Sequence, residues 1–279
     1  MTLLQAVNQF AEKNHCLTED TLNNEDWAWQ MYKQVRYAFL YTAQDLRHLA
    51  VDLLAKRLAT GNPPTTAQQI MARHQAAYRA YVSRFIGLTD DDLDQEPAPE
   101  EWTLRTILEH VNIAEQAFFQ VNRHAITQHM AGVTAPSFMP KEKMAHVRSE
   151  EIIAIFDGSL ADNLAYYDTV HQQIINEMGN LNNDALEIPT VWWEETIFPV
   201  RFRMHRFEAH LREHTIQVEK TLMMLNKVPN EATRLLQDVY QALADVEGAL
   251  IGTENFGVDE QTILAQTISS RAAELTALV

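Results

Sequence analysis

The segment Ala209-His210-Leu211-Arg212-Glu213-His214-Thr215 carries two histidines four residues apart, within a stripe formed by Phe207, Leu211, Val218, Leu222 and Leu225. On a helix that spacing sets both imidazoles on one face, about 5–6 Å apart at Cβ, where one divalent ion can take a nitrogen from each. Taken alone, the pair reads more simply as two hydrogen-bonded or half-exposed histidines on an amphipathic helix. A third histidine, His110, stands elsewhere in the chain, again inside an apolar stripe of Ile107, Val111, Ala114, Phe118, Val121 and Ala125. A neutral imidazole is costly to bury without a partner, and three such residues could share one. His171, also inward on its segment, and His205, five residues before His210 and so on a different face, are weaker rivals to His110. Glu213 points about 100° away from His214 and reads as a surface charge rather than a ligand or base. His15, His48, His124, His129 and His146 fall on polar or irregular stretches and read as surface residues.

Three neutral imidazoles leave a divalent ion its full charge and at least one open position, the arrangement of a catalytic rather than a structural centre. Such an ion lowers the pKa of water toward ~7 or holds a thiol as thiolate. Imidazole suits zinc, nickel, iron and copper alike, so the metal is not named, and no further catalytic residue is assigned. Cys16 is the single cysteine, which rules out an intramolecular disulfide and a thiolate cluster. The acidic run Asp90-Asp91-Asp92 lacks the central glycine and terminal glutamate of a calcium-binding loop and reads as a solvated loop. A net charge of -16 repels a phosphate backbone, so nucleic acid is a poor partner. No run of 18 apolar residues and no basic leader followed by an apolar stretch occurs; the expectation is a cytoplasmic protein with no membrane attachment.

The elements that must hold these histidines are helices. With 8 glycines and 9 prolines gathered in a few places, long stretches are free of helix breakers, and an all-α fold is expected. Apolar periodicity predicts helices from Trp27 to Leu58, from Thr65 or Thr66 to about Gly87, and from Thr103, as cap, to Met130. It further predicts one from Ser149 through Met178, one from about Val200 to Asn226, and one or two after Asn230. Between Gly179 and Pro199 lies an irregular stretch with Trp192, Trp193 and Phe198. These aromatics would either line the mouth of a pocket or anchor the loop in the core.

The run Trp102-Thr103-Leu104-Arg105-Thr106-Ile107-Leu108-Glu109-His110-Val111 resembles the tryptophan, cap, helix and histidine segment of the DinB/YfiT-like superfamily. Ala209 to Gln217 is similar to that family's paired-histidine helix, and the segment from Ala67 through Leu88-Thr89-Asp90-Asp91-Asp92-Leu93 to Trp102 also fits; the likeness spans about Thr66 to Leu225. It implies a four-helix bundle with His110, His210 and His214 as ligands of one divalent metal ion, zinc, nickel or iron, and selects His110 over His171. It further implies a small-molecule substrate, with thiol-dependent transferases and isomerases among the relatives, and a homodimer. A low-molecular-weight thiol and a transferase or hydrolase reaction are therefore expected, with any reactive thiol coming from the substrate. The alternative is a non-catalytic binding or interaction bundle with a structural or vestigial metal. The helices before Thr66 and after Pro229 lie outside the family core. The expected organisation is an N-terminal extension over residues 1–64, the bundle over 65–228, and a C-terminal extension over 229–279 packed with the first as one compact unit.

Overall fold

The structure, a computed structural model, describes residues 1–27, 32–145 and 149–278. In chain order its helices are α1 (Leu3–Asn14), α2 (Glu19–Leu22), α3 (Arg36–Ala59), α4 (Thr66–Val82), α5 (Asp90–Leu93), α6 (Leu104–Met130), α7 (Glu142–Ala145), α8 (Glu150–Phe156), α9 (Leu160–Gly179), α10 (Asn183–Leu186), α11 (Val200–Met224), α12 (Glu231–Leu250) and α13 (Val258–Leu278). Two short strands, β1 (Pro189–Thr190) and β2 (Phe198–Pro199), pair antiparallel with Pro189 opposite Pro199 and Thr190 opposite Phe198. The fold is all-α apart from that pair. No helix among the described residues is long and apolar enough to cross a membrane. His146 lies outside the described residues.

The chain divides into two compact units: Met1–Pro64, Arg79–Leu88 and Lys227–Val279 form one, Thr65–Tyr78 and Thr89–Asn226 the other. In the first, α1, α3, α12 and α13 pack on one another. Their core includes Phe10, Phe39, Leu46, Leu236, Leu243, Ile268 and Leu275. Arg57 is wholly buried there because its guanidinium is spent on carbonyls, donating to Asn62 O at 3.1 Å, Ala249 O at 2.8 Å and Ile251 O at 3.0 Å. The expected helix start near Trp27 is corrected: α3 begins at Arg36, and Tyr32 ahead of it is exposed. The Val35 N–H donates to Asn24 O at 3.0 Å.

The second unit is a four-helix bundle of α4, α6, α9 and α11. Helix α6 packs against α9 and α11, the Tyr78 hydroxyl of α4 donates to Asp168 Oδ1 of α9 at 2.9 Å, and the His74 ring of α4 lies 5.0 Å from Phe207 of α11. Each start has a local cause. Thr65 and Gln68 exchange bonds between side chain and backbone ahead of α4, and the Thr103 hydroxyl accepts from Thr106 N at 3.2 Å ahead of α6. The acidic stretch is not all loop, because Thr89 and Asp92 form a capping box that winds α5.

The single helix expected from Ser149 to Met178 is two. Ser149 caps α8 as expected, but the chain breaks at Asp157-Gly158-Ser159 and restarts with Ser159 as a second cap. Glycine is a poor helix former, and here the freed carbonyls have other donors. Asn163 Nδ2 donates to Ile155 O at 3.0 Å and Ser159 O at 2.9 Å. Arg105 reaches from α6 to Phe156 O and, at 2.8 Å, to Gly158 O, while pairing with Asp94. That salt link, with part of the cost of burial set against it, holds the Arg105 guanidinium above and the Asp94 carboxyl below their ordinary values.

Candidate metal centre

Helix α11 sets His210 and His214 one turn apart on its inner face, both 6% exposed, and α6 presents His110, half-buried, from across the bundle. The three imidazoles meet by their Nε2 atoms: His214 to His210 at 3.0 Å and His210 to His110 at 3.3 Å. A zinc–nitrogen bond of about 2.0–2.1 Å at tetrahedral angles calls for nitrogens about 3.3 Å apart, so the spacing fits three ligands of one ion. Among the described residues, the group whose ligand atoms lie within 4.8 Å of one another here consists of these three histidines, with no carboxylate or thiol in it.

Protonation favours ligation. The Nδ1 of His214 is 2.6 Å from Gln217 Oε1, an acceptor, so His214 carries its proton on Nδ1 and turns the Nε2 lone pair toward its neighbours. Burial, then the charges of His214, His110 and Arg206, push His210 down to about 3, so its ring is neutral at physiological pH. Metal ligation requires that neutral form.

Aromatic rings shape the surroundings. Trp102, 39% exposed, lies 5.0 Å from His110 and parallel to His214 at 6.5 Å. Phe118 meets His210 edge-on at 5.2 Å, and Trp192 meets Phe118 edge-on at 5.3 Å. Trp192 is thus one ring removed from the histidines. Trp193 stands 75% exposed, and Phe198 stacks on Phe202 at 4.1 Å under the Arg203 guanidinium. The loop bearing these aromatics is closed by Arg203, which pairs with Glu194 and donates to Thr190 Oγ1 at 2.9 Å.

Of the rival histidines, His205 is exposed. His171 is fully buried but belongs elsewhere, with its Nε2 2.6 Å from Gln75 Oε1. His124 is corrected from surface to interior. It is 6% exposed, with Nε2 3.1 Å from Ser137 Oγ and Nδ1 3.4 Å from Lys143 Nζ, and burial lowers its pKa. Three residues near ligand groups escaped the sequence reading. Trp102 and Gln217 stood in the family-like segments without a role of their own, and His74 was not weighed although it sits midway between Ile70 and Tyr78 on the inner stripe of α4.

A family model described as the DinB superfamily matches residues 72–218, just over half of the chain and the stretch that carries all three histidines. No curated protein and no solved structure matches the chain.

Proposed function

Since the chain belongs to the DinB superfamily, we propose that His110, His210 and His214 hold one divalent metal ion and that the protein is a metal-dependent enzyme of the transferase or hydrolase type. The observation that carries this reading is the convergence of three Nε2 atoms at 3.0 and 3.3 Å with no anionic ligand among them. An ion held by three neutral donors supplies Lewis acidity and makes a nucleophile of water or a thiol at neutral pH.

The chain's own residues do the positioning. Gln217 fixes the tautomer and ring plane of His214, and Phe118 braces His210. Trp102 offers a flat apolar wall beside His110 and His214 against which a small molecule can lie. The substrate is proposed to be a small molecule, with a low-molecular-weight thiol favoured by the family resemblance. Cys16 lies outside the stretch that matches the family, so the reacting thiol is proposed to enter with the substrate. With a charge of -16, nucleic acid is not proposed as a partner. A homodimer in the cytoplasm is the proposed state.

The test is metal content of tag-free protein beside His110→Ala and His214→Ala. Each variant is expected to lose one ion per chain; unchanged content in both would sink the site. Cobalt-loaded protein titrated with small thiols should change its visible spectrum. Silence would remove thiol transfer and leave hydrolysis, or metal binding without turnover, as the function.

A further inference from the structure

We propose that His74, Glu115 and His171 form a second divalent-metal site, closed rather than open, in the core of the same four-helix unit, with the Gln75 side-chain oxygen as fourth donor. The three side chains come from α4, α6 and α9, and each is fully buried. Each offers a ligand atom within 4.8 Å of the others. His74 Nε2 is 2.9 Å from Glu115 Oε1, His171 Nε2 is 2.6 Å from Gln75 Oε1, and the two imidazole rings are 4.5 Å apart.

What points to a ligand is the polarity left over. Glu115 Oε2 and His74 Nδ1 are both sealed from solvent, and neither has a hydrogen-bond partner. A carboxylate in a water-free interior is tolerated when its charge is paired or ligates a metal, and the contact of Glu115 Oε1 with His74 Nε2 at 2.9 Å leaves the second carboxylate oxygen unsatisfied. A cation among the carboxylate and two imidazoles gives Glu115 Oε2 the partner it lacks. The rings are already held for it: Tyr78 stacks on His171 at 3.7 Å with planes 10° apart, and Phe207 covers His74 at 5.0 Å.

This site differs from the three-histidine centre in kind. Two imidazoles, a carboxylate and an amide oxygen make four protein donors, the closed set of a structural site, and the carboxylate selects an ion that accepts oxygen, such as zinc, iron or manganese. The two centres do not share a bridge. Phe207 touches His74 and lies 5.8 Å from Phe118, which in turn touches His210, so the ring contacts that link the two clusters run through two aromatic side chains. Bridged ions sit about 3.5–4 Å apart, closer than any of these ring contacts. The second ion therefore serves to hold α4, α6 and α9 together.

The experiment counts ions on the full chain. Tag-free protein is stripped with chelator, reloaded with zinc or cobalt, desalted and analysed. Two ions per chain are expected in the wild type, and one in the His110→Ala/His214→Ala double variant. One is also expected in Glu115→Gln, which keeps the side chain's shape and removes its charge. Loading should raise the melting temperature of the double variant, but not when Glu115→Gln is added to it. A wild type holding one ion with a double variant holding none overturns the proposal, as does Glu115→Gln retaining two. If Glu115→Gln fails to fold, the double variant decides, since an ion bound without His110 and His214 must have other ligands. That outcome with a wild type of only one ion would support this site while refuting the three-histidine one.

Discussion

Replacing Gln217 with alanine should weaken metal binding by the three histidines without unfolding the bundle. The Gln217 oxygen accepts a hydrogen bond from His214 Nδ1–H at 2.6 Å, which keeps the lone pair of Nε2 aimed at His210. In Gln217→Ala the imidazole is free to move its proton to Nε2 and to rotate, and each ligation event must reverse both. Loss of a hydrogen-bond partner of this type costs about 10–100-fold in metal affinity, or roughly 1.4–2.7 kcal/mol. Gln217 is only half-buried, so fold stability should fall by about 1 kcal/mol or less. Gln217→Glu keeps an acceptor and adds charge that makes the imidazole more basic, so its affinity should equal or exceed the wild type's. Cobalt affinity, measured by competition with a chelator and followed in the visible spectrum, separates the variants, with His110→Ala as the reference lacking the site. Equal affinity in Gln217→Ala and wild type would refute the orienting role. So would an equal loss in Gln217→Glu, which would make the contact one of packing alone.

Three further predictions concern the frame. Tyr240 donates to Asn8 Oδ1 at 2.7 Å, and burial, opposed by Arg79 and reinforced by Glu247, pushes its phenol up to about 12. A folded pKa above the unfolded value of ~10 means a contribution fully present below pH 10 and lost between about 10 and 12, worth at most roughly 3 kcal/mol. Urea melts of Tyr240→Phe should lose that slope; an unchanged slope would assign it to another group. Arg105→Ala leaves the Phe156 and Gly158 carbonyls only the long bonds from Asn163 Nδ2 at 3.3 and 3.4 Å and should destabilise by about 1–3 kcal/mol, whereas Asp94→Ala, on the exposed side of the same guanidinium, should cost about 1 kcal/mol or less. Similar losses in both variants would contradict this division. Gly257 has φ +65°, and a Cβ there would stand 2.2 Å from Leu53 Cδ2, so Gly257→Ala should cost roughly 2–4 kcal/mol in thermal melts; a neutral result would show that Leu53 yields freely.

Where one helix face meets one core, periodicity was a sufficient guide. Helix α11 runs Val200–Met224 against an expected Val200–Asn226, and its stripe does turn His210 and His214 inward. The break between α8 and α9 was harder to see because Ile152, Phe156, Leu160 and Leu164 keep a four-residue step across it, while the groups that stabilise it, Arg105 and Asn163, reveal their role only in three dimensions. His124 was misread for a related reason: its cover, Ser137 and Lys143, comes from a proline-bearing segment whose return onto α6 has no local signature.

Helix α6 shows most clearly what a stripe conceals. A single inward line through Ile107, Val111 and Phe118 favours Ala114 as the next inward position, yet Ala114 is half-buried and Glu115 is fully buried. Asn112, Gln116, Asn122 and His124 are buried too, so more than one face of this helix is covered. Helices α9 and α11 pack on it, and Glu115 meets His74 of α4. A helix enclosed on several sides must place polar residues inside, and each then needs a partner from another helix. His74 and His171 sit on their own stripes with steps of four to Ile70 and to Tyr167, so two members of the second cluster occupied core positions in the sequence, while Glu115 lay one residue off the stripe of α6. What the sequence lacked was a spacing that joins three separate helices. The family pattern supplies such a join for His110, His210 and His214, and for His74, Glu115 and His171 only the packing of the bundle does.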